Sequence, residues 1–403
     1  MPKANLALSN LRGVVIVIVV AFHSSLAYLA SVPPQPPGFN QPPYTWEAFP
    51  VVDAHRFLGL DVFCAWQDIS LMSLMFLLAG LLTAPSLRRK GSWTYLLNRL
   101  WRIGLPFALA ILFLSPLALY PAYATRTLSP SLSGYLEQWL ALPFWPNGPE
   151  WFLWQLLALS ALAAAFYGFA PRYLDRLGVI GSWAGARPLR LFAILIAASM
   201  LAYVPLALAF SPTRWSVSGP FALQFSRPGL YFVYFFAGVA LGKFVAGGDL
   251  FASSGPLARR WVTWAIVAVA AFCGWAGLTS LTLPDWNDAA FVARLGASIA
   301  FPVACAAGGL FLIAACARFS RRRYRILDGL SAHAYGIYLV HYVFVVWLQY
   351  ALLGAALPAP LKAAIVFSGA LTASWIVVAV GLRALSGAFA FSSARHPVQP
   401  ATH

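Results

Sequence analysis

The chain has 403 residues, of which 61% are hydrophobic and only 9% are charged, and its mean hydropathy is +0.75. A soluble globular protein carries roughly 25% charged residues, so this composition excludes an ordinary soluble domain. The net charge of +16 at pH 7 is spread along the chain and forms no single basic block, which argues against a nucleic-acid-binding protein.

Ten apolar segments are long enough to cross a bilayer, because a helical span needs about 20 apolar residues. Backbone inside lipid must satisfy its own hydrogen bonds, which favours helices, and the continuous runs do not match the alternating pattern of an outer-membrane barrel. We therefore predict an all-α polytopic membrane protein of about ten transmembrane helices, with one domain over 1–390 and a disordered tail over 391–403. The predicted spans are 12–31, 66–84, 101–120, 150–170, 191–210, 228–246, 261–281, 295–317, 331–352 and 361–382.

The positions of the basic residues predict the orientation. If the N-terminus is cytoplasmic, 21 of the 27 lysines and arginines fall in cytoplasmic loops, as the positive-inside rule predicts. The exceptions are Arg56, Arg126, Arg214, Arg227, Arg294 and Lys362. We therefore expect a cytoplasmic N-terminus.

The first span contains an ionisable side chain deep in the membrane. Ten residues separate Arg12 from His23, and a helical rise of about 1.5 Å per residue places His23 about 16 Å beyond Arg12. Ionisable groups inside a bilayer are costly, so each is a candidate for a functional site. We expect Arg12 at the cytoplasmic edge and His23 near the midplane. A histidine that is simply hydrogen-bonded within the helix packing also fits this position.

A second histidine is predicted at similar depth. His341 lies ten residues beyond Ser331, where the ninth predicted span begins. A cavity shared by His23 and His341 and two separate packing positions both fit this spacing. Asp68, in the second span, is a candidate to orient His23 or to bind a substrate.

An arginine pair follows the second span. Arg99 and Arg102 are three residues apart, so an α-helix places them on one face. Planar guanidinium groups suit phosphate or pyrophosphate, and Arg12 is predicted at the same membrane edge. The three residues are candidates for binding a phosphate-rich ligand. Charge that merely sets the membrane topology is the alternative.

The predicted outer segments combine aromatic and acidic residues. Glu150 and Trp151 open the fourth span, and Asp68 lies at the outer part of the second. Aromatic rings with carboxylates suit a sugar, by stacking and by hydrogen bonds to hydroxyls. An interfacial aromatic belt with solvated charges is the other interpretation. The four cysteines show no metal-ligand spacing, so we expect no metal site.

Five motifs, in order along the chain, resemble those of the acyltransferase-3 family of bacterial membrane O-acyltransferases. The nearest resemblance is to the branch that contains glucan biosynthesis protein C, a glucan succinyltransferase. The sequence departs from many members at Leu77 and Glu150. The motifs are Arg12 with His23, Phe76 to Gly80, Arg99 with Arg102 and Pro106, Trp151 to Leu153, and Tyr335 to His341.

The resemblance implies transfer of an acetyl or succinyl group from acyl-CoA to a hydroxyl of a carbohydrate or related acceptor. It implies a multi-pass protein of the bacterial inner membrane, with acyl-CoA as donor substrate and no bound cofactor. His23 would be the general base or the first acceptor of the acyl group, with His341 and Asp68 beside it. Arg12, Arg99 and Arg102 would bind acyl-CoA, and Glu150 and Trp151 the acceptor.

Two other functions remain compatible with the sequence. Intramembrane histidines also occur in proton-coupled transporters, so the chain could move or flip a glycolipid or a small metabolite. A membrane scaffold without catalysis would tolerate substitution at His23 and His341.

Overall fold

The computed structural model describes residues 6–246, 249–282, 285–320 and 322–394. Its helices and one β-hairpin are α1 (Leu6–Ser25), α2 (Leu58–Leu81), α3 (Thr83–Lys90), α4 (Ser92–Arg99), α5 (Leu105–Leu109), α6 (Ser115–Ala124), α7 (Leu132–Leu140), α8 (Trp151–Phe169), α9 (Pro171–Gly185), α10 (Pro188–Phe210), β1 (Trp215–Ser218), β2 (Phe221–Gln224), α11 (Pro228–Leu241), α12 (Pro256–Arg259), α13 (Trp261–Ser280), α14 (Phe291–Phe319), α15 (Arg325–Ala351) and α16 (Ala359–Ala394).

The predicted all-α membrane fold is confirmed. Within the described residues, nine helical stretches are long and apolar enough to cross a membrane, and the predicted span 228–246 corresponds to a shorter apolar helix. The first span was placed too late: α1 starts six residues earlier than predicted and gives way to a 3₁₀ turn at Leu26–Tyr28. His23 therefore lies in the last turn of α1. Helix α16 reaches into the predicted tail, whose residues from 395 lie outside the described part of the chain.

Helix packing brings the first and last parts of the chain together. Helix α1 packs along α15 and α16, and α2 packs along α11 and α14. Gly80 and Gly238 let α2 and α11 approach, because a Cβ atom on Gly80 would lie 2.0 Å from the Phe235 carbonyl oxygen. The glycine that ends the Phe76 to Gly80 motif is thus required by backbone contact, as is usual for small residues between membrane helices.

The stretch from α4 to α6 is one long helix interrupted by π-helical turns at Leu100–Gly104 and Ala110–Leu114. Proline has no N–H to donate, so Pro106 and Pro121 leave the carbonyls four residues before them without their usual helical partner. Side chains of α15 supply replacements: the Tyr335 hydroxyl donates to the Arg102 carbonyl at 2.7 Å, and Trp347 Nε1 donates to the Leu117 carbonyl at 2.8 Å. The prolines thereby fix this helix against α15.

A β-hairpin that the sequence analysis did not predict lies between α10 and α11. Strands β1 and β2 are antiparallel, with Trp215 opposite Gln224, and Gly219 takes a positive φ of 56° in the turn. Trp154 Nε1, in the first turn of α8, donates to the Ala222 carbonyl at 2.9 Å and holds the hairpin over the start of α8. The hairpin forms part of the wall of the cavity described next.

Candidate active site

A cavity of about 400 Å³ lies at the end of the bundle where α1 ends and α2 begins, here called the loop end. That volume is within the usual range for sites that bind small molecules. Loop residues 43–49, the turn before α8 and the β-hairpin enclose it together with α1, α2 and α15. The polar and aromatic residues that line it include His23, Tyr44, Glu47, Gln67, Asp68, Asn147, Trp151, Trp215, Tyr338 and Tyr342.

His23 is the histidine that faces this cavity, and His341 lies directly behind it. His23 Nδ1 is 2.9 Å from the Val19 carbonyl oxygen and 3.2 Å from His341 Nε2. His341 is fully buried, and its Nδ1 is 2.6 Å from the Tyr338 carbonyl oxygen. The structure therefore brings together the two histidines that the sequence placed at similar depth.

The two backbone carbonyls determine which nitrogens carry hydrogen when both rings are neutral. A carbonyl oxygen only accepts, so Nδ1 of His341 donates to Tyr338, and His341 Nε2 keeps a lone pair. Nδ1 of His23 likewise donates to Val19 and also faces the lone pair of His341. His23 Nε2 is then left with a lone pair at the cavity, which is the form required of a base or nucleophile.

Further hydrogen bonds hold both histidine-bearing helices in register. Gln349 Nε2 donates to the His23 carbonyl at 2.9 Å, which satisfies an acceptor at the end of α1. The Tyr338 hydroxyl donates to the Pro149 carbonyl, which ties α15 to the turn that precedes α8. The position of the His23 ring is therefore determined from several directions.

Asp68 lines the cavity, but its carboxylate is held by an arginine. Arg227 Nη2 lies 2.6 Å from Asp68 Oδ2, and the guanidinium stacks 4.4 Å from the centre of the Phe301 ring. Arg227 is 4% exposed. The contacts that orient His23 come from Val19 and His341, so Asp68 is placed to meet a ligand in the cavity. The sequence indicates Arg227 only as an outer charge, because nothing in it pairs two residues that lie 159 positions apart.

Of the two residues predicted to bind the acceptor, only Trp151 lines the cavity of His23. Trp151 lines the cavity, with its ring stacked on Tyr231 at 5.9 Å and edge-on to Trp215 at 5.6 Å. Glu150 is 3% exposed and borders a different, small gap beside Ser115 of α6. Glu150, the other candidate acceptor residue, does not line the cavity of His23, because the tight turn Gly148–Glu150 puts Trp151 at the cavity and Glu150 behind it.

Glu47 is a cavity residue that the sequence indicated only as one of several outer carboxylates suited, with aromatic rings, to a sugar. It lies outside the membrane-spanning segments and lines the cavity. Burial raises the pKa of Glu47 to about 7, although the backbone N–H of Asn147 donates to the carboxylate and opposes the shift. The acidic and aromatic composition of 32–65 was the only signal for it. The sequence could not identify which carboxylate of that segment faces the cavity, because this depends on how the loop folds.

The three predicted phosphate-binding arginines lie at the other end of the helices. Arg12 and Arg102 are exposed, whereas Arg99 is half-buried and donates from Nε to the Tyr95 hydroxyl at 3.0 Å. Arg99 and Arg102 would share one face of an α-helix, but Arg102 lies within the π-helical turn Leu100–Gly104. The shared face is therefore not as predicted, because a π turn is wound more loosely.

Contacts with α15 nevertheless bring Arg12 and Arg102 to the same stretch of that helix. Gly13, next to Arg12, packs against Leu327 and Ser331. The carbonyl of Arg102 accepts from Tyr335, one turn further along α15 than Ser331. Both arginines therefore lie beside the first three turns of α15, Arg12 on α1 and Arg102 in the π-helical turn.

The chain was also compared with known proteins. A family model described as an acyltransferase domain matches residues 5–379. No curated protein and no solved structure matches the chain. The family match covers nearly the whole chain, including every helix that carries a candidate site residue. The chain thus belongs to the acyltransferase-3 family and is a multi-pass membrane acyltransferase, which transfers groups other than aminoacyl groups.

Proposed function

We propose that the protein moves an acetyl or succinyl group from acyl-CoA to a hydroxyl of a carbohydrate or related acceptor. The observation that carries this proposal is the His23 ring at the cavity, with Nδ1 engaged by Val19 and His341 and Nε2 left with a lone pair. Acyl transfer to a hydroxyl needs such a nitrogen, because an alcohol is a weak nucleophile until its proton is removed.

In direct transfer, His23 Nε2 takes the proton of the acceptor hydroxyl while its oxygen bonds to the thioester carbonyl carbon. The carbon–sulfur bond then breaks, and the proton on Nε2 passes to the departing CoA sulfur. In the covalent route, Nε2 itself bonds to the carbonyl carbon, and the carbon–sulfur bond breaks so that CoA leaves as the thiolate. The acceptor oxygen then bonds to the same carbon, the carbon–nitrogen bond breaks, and the hydroxyl proton passes to the CoA thiolate. His341 serves both routes, because its lone pair faces the Nδ1–H of a His23 that becomes positively charged.

The donor would enter from the end that carries Arg12, Arg99 and Arg102. Cationic side chains there suit the phosphates of CoA, whose long flexible arm carries the thioester. The ten residues between Arg12 and His23 correspond to about 16 Å along α1. A donor anchored by its phosphates at the arginines can therefore present only its thioester to His23.

The acceptor would occupy the cavity at the loop end. Trp151 and Trp215 offer ring faces on which a sugar can stack, and Asp68 and Glu47 offer acceptors for its hydroxyl groups. This combination supports a glycan as acceptor. The positive-inside pattern supports an N-terminus in the cytoplasm of a bacterial cell, with the loop end facing outward from the inner membrane. The motifs favour the branch that contains glucan biosynthesis protein C.

The test is acyl transfer by the purified full-length protein in proteoliposomes. Radiolabelled acetyl-CoA or succinyl-CoA would be supplied at the arginine-bearing side, with an oligosaccharide acceptor at the other side. We expect labelled ester on the oligosaccharide. A protein that moved the glycan across the membrane without consuming either thioester would be a transporter, and the proposal would fail.

The donor site is tested by substitutions that remove single positive charges. We expect Arg99→Ala and Arg102→Ala each to raise the KM for acyl-CoA about fivefold to tenfold, since a hydrogen bond to a charged group contributes about 1.5–3 kcal/mol before solvent screening. Arg172→Ala and Arg176→Ala, which remove charges at the start of α9, are matched controls. Equal KM values in all four variants would remove the arginines from the donor site.

A further inference from the structure

A second and larger cavity, of about 980 Å³, opens at the opposite end of the bundle between the starts of α10 and α13. This end also holds the start of α1, since Ala7 packs with Ala258 and Ala317. Four arginines line the cavity, and no described lining residue is acidic. We call it the arginine cleft; its arginines are Arg187, Arg190, Arg259 and Arg260.

The arginines of the cleft form no ion pair with any side chain that the structure describes. Arg190 stacks on Trp183 and donates to its carbonyl at 2.8 Å. Helices α10 and α13 also begin at the cleft, so their partially positive N-termini add to the field. The site is therefore complementary to an anion of more than one charged oxygen.

The rest of the cleft is apolar and runs along the membrane-spanning helices. Phe192 of α10 and Trp264 of α13 line it, with ring centres 5.3 Å apart, and Val267 continues the surface one turn further along α13. Trp264 is 4% exposed, and its Nε1 has no hydrogen-bond partner among the described residues. A buried indole N–H that lacks an acceptor costs free energy, so an acceptor oxygen from a bound molecule would stabilise it.

We propose that the arginine cleft binds an anionic phospholipid. Its phosphodiester would contact the guanidinium groups of Arg190 and Arg260, an ester carbonyl oxygen would accept from Trp264 Nε1, and an acyl chain would lie against Phe192 and Val267. A free phosphate would use the arginines alone and leave the apolar surface and the indole N–H without a partner. Basic pockets between helices at the positively charged membrane face are a recognised setting for such headgroups.

This lipid site is separate from the cavity of His23. Helix α14 packs against α1 on one side and against α10 and α13 on the other, so it stands between the two regions. The two cavities share no lining residue. The proposal therefore does not depend on the proposed acyl transfer, and either one can fail alone.

The experiment is lipid titration of the delipidated full-length protein followed by native mass spectrometry. Cardiolipin, phosphatidylglycerol and phosphatidylcholine would be added in turn, and we expect the two anionic lipids to bind in preference to phosphatidylcholine. An arginine near the surface contributes about 1 kcal/mol to binding of anionic lipid, so Arg190→Gln with Arg260→Gln is expected to weaken binding about 25-fold. Arg322→Gln with Arg323→Gln removes the same charge from exposed positions outside the cleft and is the matched control.

A second variant separates lipid from free phosphate. Trp264→Phe keeps the ring and removes the N–H, and we expect it to weaken phosphatidylglycerol binding about fivefold while leaving binding of inorganic phosphate unchanged. Inorganic phosphate and AMP at millimolar concentration should not displace the lipid. Displacement by either one, or equal lipid binding by the Arg190→Gln, Arg260→Gln variant and its control, would overturn the proposal.

Discussion

Two polar pairs lie at the loop end, and they differ in whether a polar atom is left without a partner. Lys362 Nζ and Asp53 Oδ2 are 2.6 Å apart, and both side chains are at most 1% exposed. Asp53 Oδ1 also accepts from the backbone N–H of His55 at 2.8 Å and lies 3.2 Å from His55 Nδ1, so both carboxylate oxygens are engaged. The His23–His341 pair, at 3.2 Å, keeps one ring nitrogen unused beside a cavity.

This difference separates a structural pair from a reactive one. Both pairs join distant parts of the chain: Asp53 ties the loop before α2 to α16, and His23 ties α1 to α15. The charges of Asp53 and Lys362 neutralise each other, and neither residue lines the cavity, so the pair offers nothing to a substrate there. A pair with one free lone pair at a cavity is equally fixed in position but remains able to take a proton.

The largest effect on the rate of acyl transfer is expected from removing His23, whose Nε2 has a free lone pair. His23→Ala should lower kcat/KM for acyl transfer by about 10²–10⁴, the usual contribution of a general acid–base group. His333→Ala is a matched control, since His333 Nδ1 also bonds the carbonyl four residues earlier, at 2.7 Å, but does not line the cavity. Radiolabelled transfer in proteoliposomes measures both. Equal losses in the two variants would mean that His23 acts only in packing.

Substitutions in the Asp53–Lys362 pair should lower the stability of the protein and leave the rate of acyl transfer unchanged. Lys362→Met leaves the Asp53 carboxylate buried without its cation, which costs about 3–5 kcal/mol in the free energy of unfolding. Denaturant titration in detergent measures this loss, and kcat per folded molecule should stay near the wild-type value. Asp53→Asn combined with Lys362→Met should recover most of the stability. If the double variant were as unstable as Lys362→Met alone, the buried charge would not be the cause.

A smaller effect on rate is expected at His341, which acts through His23. His341→Phe removes the acceptor for the His23 Nδ1–H, and we expect kcat to fall about 10-fold to 100-fold with little change in the KM for acyl-CoA. His341→Gln provides an amide oxygen in its place and should recover part of the rate. Equal activity of the Phe and Gln variants would show that His341 fills space and does not orient the base.

The sequence predicted the fold better than it predicted the pairing of charges. All ten predicted spans are helical, because long apolar runs determine the spans directly. It also placed His23 and His341 at similar depth, since both depend only on distance along a helix. It could not pair Asp68 with Arg227 or Asp53 with Lys362, because those contacts depend on how distant helices and loops pack.

Two further differences have local causes that the sequence contains but does not make obvious. Pro106 lies four residues after Arg102 and has no N–H to donate to the Arg102 carbonyl. Arg102 lies in a π-helical turn, which changes the angle between the Arg99 and Arg102 side chains around the helix. Gly148 takes a positive φ of 49°, and the turn that follows puts Trp151 at the cavity and Glu150 behind it. Both cases show that one backbone irregularity changes which side chain faces a site.

Glu47 shares one property with each pair: it lines the cavity, and it affects stability. Its titration gives the smaller predicted effect on stability. It lines the cavity as His23 does, and burial raises its pKa from 4.5 to about 7. Between those pH values the folded protein keeps a proton that the unfolded chain releases, so the Glu47 contribution to stability falls as the pH rises from about 4.5 to 7. Glu47→Gln stays neutral, and it should gain up to about 3 kcal/mol relative to wild type over that interval, because one pKa unit corresponds to about 1.4 kcal/mol. Thermal unfolding at several pH values measures the gain, with exposed Glu137→Gln as the control, and parallel curves for all three proteins would show that the Glu47 carboxylate is already ionised in the folded cavity.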